Sequence, residues 1–253
     1  MILFLGDSFT WGAGLQFEYL FQNGHSVDEI NELIPPETYL ENLDYKSDEY
    51  RKKHHFPNLV AKEMNMAYVL GKIGNGGSNN NMSFIINNIG ELLMYYPGKI
   101  RNVWTNFVLP TPIEMVIVQF TEFMRDASED WELNRYTGDF EENNKKEIIK
   151  QIEKFNKACR GKNLKWFGLS WQKDMGNILK KHYPNNFIPI IQDNDEYVSM
   201  DKLILTDEQV DPDPFIRESQ LRICDVLPGI SDTHPNSKGH KLIAHSILEK
   251  INV

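Results

Sequence analysis

The chain opens Met1-Ile-Leu-Phe-Leu5-Gly6-Asp7-Ser8-Phe9-Thr10-Trp11-Gly12, and this stretch decides the fold. Met1–Leu5 is a short, unbroken apolar run stopped by a glycine, which is how a strand buried on both faces reads. Gly6 permits a tight turn that a side chain would obstruct. Ser8 then falls at the carboxyl end of a first parallel strand, where open α/β sheets place their ligand sites. A helix beginning here would turn its free amides toward the serine, where they can stabilise a developing oxyanion.

Moving outward, strand and helix patterns alternate. Ala67–Leu70, extending toward Ile73, Met115–Phe120 and Leu164–Ser170 read as further strands, with Phe187–Ile191 or Lys202–Leu205 as candidates for a fifth. Helical spacing appears in Phe56–Asn65, in Asn81–Tyr96, in Lys145–Arg160 before Gly161, and in the segment after Pro235. Such alternation predicts an α/β protein, a three-layer α/β/α sandwich with about five parallel strands. The length of 253 residues suits one domain, 1–253. Residues 17–55 are polar, acidic and weakly periodic around Pro35-Pro36, and they read as an insertion. Residues 193–214 read as a second acidic connection, of the kind that carries substrate contacts or is simply solvated.

Composition excludes several classes. With 27 Lys and Arg against 36 Asp and Glu, the net charge is −9, a field that repels nucleic-acid backbones and anionic lipid. The longest apolar runs are about five residues, against the ~20 a membrane helix needs. No basic region followed by an apolar stretch marks a secretory signal, so a cytoplasmic location is expected. Two cysteines, Cys159 and Cys224, are too few for a disulfide scaffold and read as free thiols. Gly74-Asn-Gly-Gly77 lacks the Lys and Ser/Thr of a phosphate loop. Asp193-x-Asp195 has Val198 where a calcium loop needs glycine. His54 and His55 are adjacent and would face apart on a strand, and His240 and His245 read as core or surface residues of the last helix. Trp11, Trp131 and Trp171 suit a sugar-stacking platform, although scattered tryptophans are usually core.

The second chemical element is Ser231-Asp232-Thr233-His234-Pro235-Asn236-Ser237-Lys238-Gly239-His240. Pro235 keeps His234 out of helical conformation. In an extended segment, Asp232 and His234 project to the same side. A carboxylate beside an imidazole fixes its tautomer and supports the imidazolium formed when it takes a proton.

Together these elements resemble the GDSL, or SGNH, hydrolase superfamily. Ser8 matches the nucleophile of its first block, and His234 with Pro235-Asn236 and Gly239-His240 matches its last. Asn75-Gly-Gly77-Ser-Asn79 falls where the family carries its oxyanion-hole glycine, with Gly77 the best match. The resemblance spans nearly the whole chain, in the family's order. It implies a flavodoxin-like sandwich and a serine esterase with Ser8, His234 and Asp232 catalytic and the amides of Ser8 and Gly77 in the oxyanion hole. Two departures stand out. The family's Gly-x-Asn-Asp block is not visible after the third strand, which leaves Thr121, or else Gln119 or Arg125, as the third donor. The acid and base are spaced Asp-x-His, with Ser231 at the usual acid position. The expected substrate is a small-molecule or carbohydrate ester, such as an O-acetyl group. No metal, organic cofactor, nucleic acid or membrane partner is implied. The rival expectation is a catalytically inactive protein of the same fold that binds carbohydrate or serves a structural role.

Overall fold

The computed structural model describes residues 1–34, 44–72, 78–89, 112–121, 140–170, 173–193, 196–198, 220–230, 232 and 234–252. In chain order the elements are β1 (Ile2–Gly6), α1 (Ser8–Trp11), α2 (Leu15–Gln22), α3 (Val27–Leu33), α4 (Tyr45–His54), α5 (Phe56–Glu63), β2 (Tyr68–Lys72) and α6 (Asn79–Asn87). There follow β3 (Met115–Phe120), α7 (Phe140–Gly161), β4 (Lys165–Ser170), α8 (Lys173–His182), β5 (Ile191–Asp193), β6 (Glu196–Val198), α9 (Ile223–Val226) and α10 (Ser237–Ile251). No helix among the described residues is long and apolar enough to cross a membrane. The chain groups into two compact units, Met1–Asp7 with Met66–Ile188, and Ser8–Asn65 with Pro189–Val253.

The first unit is built on a parallel sheet in the order β2-β1-β3-β4. Ile2 to Gly6 pair with Tyr68 to Lys72 on one side, and Ile2 to Leu5 pair with Met115 to Val118 on the other. Every residue of β1 and β3 is buried whichever face it points to, which accounts for the apolar runs Ile2–Leu5 and Met115–Val118. Phe120, Phe155 and Trp166 meet edge to face with centroids 5.3 to 6.0 Å apart, locking α7 onto β3 and β4. Strand order reverses between β1 and β3, the point at which such sheets open a crevice. Asp7 lies there, fully buried, and its carboxylate accepts from the Gln119 amide at 2.7 Å.

Among the described residues the parallel sheet has four strands, not the expected five. Phe187 reaches β4 through a single parallel bridge to Gly168, with Ile188 N–H donating to the Gly168 carbonyl at 2.8 Å. Pro189 then fixes φ near −65°, far from the −120° of a parallel strand, and the extension stops. The Ile190 carbonyl accepts instead from the Ser246 hydroxyl of α10 at 2.8 Å. Ile191–Asp193 turns back as an antiparallel pair with β6. The other candidate, Lys202–Leu205, lies outside the described residues.

The second unit has its own core. Phe17 and Leu20 of α2, Ile30 of α3 and Ile34 pack with Ile223, Leu227 and Ile230 around α9. The stretch 17–55, expected to be an insertion with little periodicity, thus supplies α3, α4 and most of α2 among its described residues. Its local signals are explicit: Ser26 and Glu29 form a reciprocal capping box on α3, and Asp44 caps α4. α4 is polar throughout, yet Arg51 is almost wholly buried. Its guanidinium donates to the Trp11 carbonyl at 2.6 Å, pairs with Asp48 at 2.7 Å and covers the Trp11 ring at 3.9 Å. α5 receives its cap from far along the chain, the Phe56 N–H donating to Nδ1 of His240 at 3.3 Å.

Candidate active site

Ser8 begins α1, and the one-turn helix is closed by the Gly12 and Ala13 N–H groups donating to the Ser8 carbonyl at 3.0 and 2.9 Å. The Trp11 carbonyl at its far end is held by Arg51 and approached by the His55 ring at 3.3 Å. Burial pushes the His55 imidazole well below its ordinary range, with the Arg51 charge adding to the effect, so His55 is neutral and donates.

The opposite wall comes from the C-terminal segment. Cys224 N–H donates to the Asp232 carbonyl at 2.9 Å, Ile223 N–H to that of His234 at 3.0 Å, and Asn236 N–H to that of Leu221 at 2.9 Å. The segment 232–236 is therefore laid along 221–224 as an extended backbone. Asn236 ends it with four side-chain bonds: it donates to the Gln220 and Arg222 carbonyls and accepts from Lys238 and Gly239 N–H at the start of α10. Gly239 is there for space, because a Cβ at that position would lie 2.4 Å from the Leu221 carbonyl oxygen. Helix propensity alone favours alanine over glycine by about 1 kcal/mol. The contact reverses the sign, and Gly239→Ala should destabilise the protein by about 1–3 kcal/mol in urea unfolding. A gain in stability would show that α10 can lift off 221–224 at no cost.

Within this frame three predicted residues meet. His234 Nε2 is 2.8 Å from Ser8 Oγ, and His234 Nδ1 is 2.8 Å from Asp232 Oδ1. An ionised carboxylate only accepts, so Nδ1 carries the proton and Nε2 presents its lone pair to the serine hydroxyl. The same Asp232 oxygen accepts from the His234 backbone N–H at 2.8 Å, gripping ring and main chain together. That double hold puts an acid only two residues from its histidine where it can orient the ring. Asp225, the nearest other acid in sequence, is occupied by Arg222, which reaches it at 2.6 Å. The side chains of His234 and Asp232 are 12 % and 10 % exposed, enough for a small reactant to reach the ring.

Two residues absent from the sequence argument complete the site. The Phe9 ring lies against the His234 imidazole with centroids 4.5 Å apart. Gly14, at φ +93°, leaves no room for a side chain: its Cβ would stand 3.0 Å from His234 Cβ and 3.3 Å from Asp232 Oδ1. The Gly12-x-Gly14 spacing was the visible signal for it; Phe9 had none.

Of the other expected positions, Gly77, Arg125 and Ser231 lie outside the described residues. Thr121 belongs to the first unit, where it is fully buried. Its N–H donates to Asn79 Oδ1 at 3.0 Å and its carbonyl accepts from Asn79 Nδ2 at 3.0 Å, so its amide is already committed. Both cysteines stay as thiols: burial pushes Cys159 up to about 12 and Cys224 upward as well.

Comparison with family models, with curated proteins and with solved structures finds no match to this chain.

Proposed function

We propose that this chain is a serine hydrolase that cleaves a small acyl ester through an acyl-enzyme, and that its parallel sheet is the centre of an α/β/α sandwich of the SGNH type. The observation carrying this reading is the unbroken hydrogen-bonded series Ser8 Oγ, His234 Nε2, His234 Nδ1 and Asp232 Oδ1, each link 2.8 Å. His234 takes the Ser8 proton as Oγ attacks the ester carbonyl. The backbone amide of Ser8 is assigned as a donor to the resulting oxyanion. His234 then gives its proton to the leaving alcohol, activates a water, and the acyl group departs as a carboxylic acid. Asp232 holds the tautomer and balances the imidazolium while it exists. The family resemblance favours short acyl groups such as carbohydrate O-acetyl esters.

A fluorophosphonate probe tests the reading, since it modifies serines only when a base activates them. The native protein should label stoichiometrically at Ser8. Ser8→Ala should not label, and its melting temperature should stay within about 2 °C, since it loses one small hydroxyl. Native protein that folds and does not label would favour the rival reading, an inactive protein that binds or supports rather than hydrolyses.

A further inference from the structure

Asp232 and the 221–224 backbone fix His234 from its N-terminal side; the start of α10 fixes it from the other. The amides there are all claimed. Asn236 Oδ1 takes Lys238 and Gly239, the Asn236 carbonyl takes His240 at 2.9 Å, and the first, Ser237, goes to Glu18 of α2. Glu18 holds Ser237 twice, accepting from its N–H on Oε2 at 2.8 Å and from its hydroxyl on Oε1 at 2.7 Å. Charge-assisted bonds of this kind are about twice as strong as neutral ones. A carboxylate at a helix N-terminus also interacts favourably with the helix dipole. α2 therefore meets the base-bearing segment at two points one turn apart, Gly14 against the His234 Cβ and Glu18 against Ser237.

Glu18 is itself held. The Gln22 amide donates to Oε1 at 3.2 Å, and the Tyr50 phenol of α4 joins the same cluster. Burial first, and the Glu18 charge second, push that phenol up to about 12, so it remains a hydroxyl.

We propose that Glu18 is a positioning residue for His234: by gripping both polar groups of Ser237 it sets where α10 begins, and so where the imidazole stands relative to Ser8. The inference rests on His234 acting as the base for Ser8.

The test is the second-order rate constant for fluorophosphonate labelling, measured on the full chain with circular dichroism as the folding check. Glu18→Ala should slow labelling about 10- to 100-fold, the scale on which a misplaced catalytic group loses rate. Glu18→Gln can accept from the Ser237 N–H and donate to its hydroxyl, so it should stay within about threefold of native. Ser246→Ala removes a buried bond farther along α10 and should label at the native rate. A folded Glu18→Ala that labels at the native rate overturns the proposal. So does a Glu18→Gln as slow as Glu18→Ala, which would make the effect one of charge and not of position. Should Glu18→Ala fail to fold, Ser237→Ala, which deletes the hydroxyl bond alone, must still slow labelling several-fold, or the proposal fails. Native protein that does not label would sink the serine-hydrolase reading itself, and this inference with it.

Discussion

Asp232→Asn is expected to lower ester turnover by about 10⁴-fold while leaving the fold intact, the scale of the same change in a serine protease. The physical reason is the tautomer. An asparagine offers an amide N–H as readily as a carbonyl to Nδ1, so the histidine can place its proton on Nε2 and lose the lone pair that Ser8 needs. Because one oxygen takes both donors, an asparagine that turns its amide to Nδ1 gives up the main-chain N–H, and the segment keeps its path through its pairings with 221–224. His234→Ala should be at least as damaging. The double variant should be little worse than the worse single one, since members of one catalytic unit do not add. Turnover of an acetyl ester by the three variants decides the matter. A near-native Asp232→Asn beside an inactive His234→Ala would reduce the site to Ser8 and His234 alone.

Stability should fall steeply on mild acidification. His240 is fully buried, and burial, with the neighbouring His234, Arg51 and His54 adding to it, pulls its imidazole down to about 3. His55 is displaced in the same direction by burial and by Arg51. In the unfolded chain both titrate near 6.5. Below that value the unfolded state binds protons that the folded state refuses, so stability is complete above 6.5 and is lost as pH falls toward 3. Carboxylates contribute little until about pH 4.5, which leaves a window belonging to the histidines. Between about pH 7.5 and pH 5.0 His240 alone should remove about 2 kcal/mol, with His55 adding in the same direction. Urea unfolding across that range measures the slope. His240→Asn, which can still accept from the Phe56 N–H, should make it clearly shallower. A flat profile would mean that both rings are protonated in the folded protein.

Legibility of the sequence tracked how local each determinant is. The strands at 2–6, 115–120 and 165–170 were readable because burial on both faces demands apolar runs that no helix face requires. Ser8, Asp232 and His234 were readable because Pro235 restricts the backbone and because the residue types are few. That Phe187–Ile191 does not join the sheet as a strand turned on Pro189, whose fixed dihedral outweighed the apolar character of the segment. The helices inside 17–55 were hidden by composition: α4 buries Arg51 where a pattern of apolar residues would have been sought, although Ser26-x-x-Glu29 was a visible start signal. Glu18, and the 221–224 backbone that carries Asp232 and His234, could not be read at all. Their roles arise from pairings that join distant parts of the chain.

Ser8 and His234 are separated by 226 residues. Chains emerge at about 5–20 residues per second, so a nascent polypeptide would carry Ser8 for roughly 10–45 s before His234 exists to bond it. Throughout that interval His234 is not there to take the hydroxyl's proton. On the proposed reading, a polypeptide released before position 234 would be inert at this serine. On that reading, synthesis itself would act as a delay.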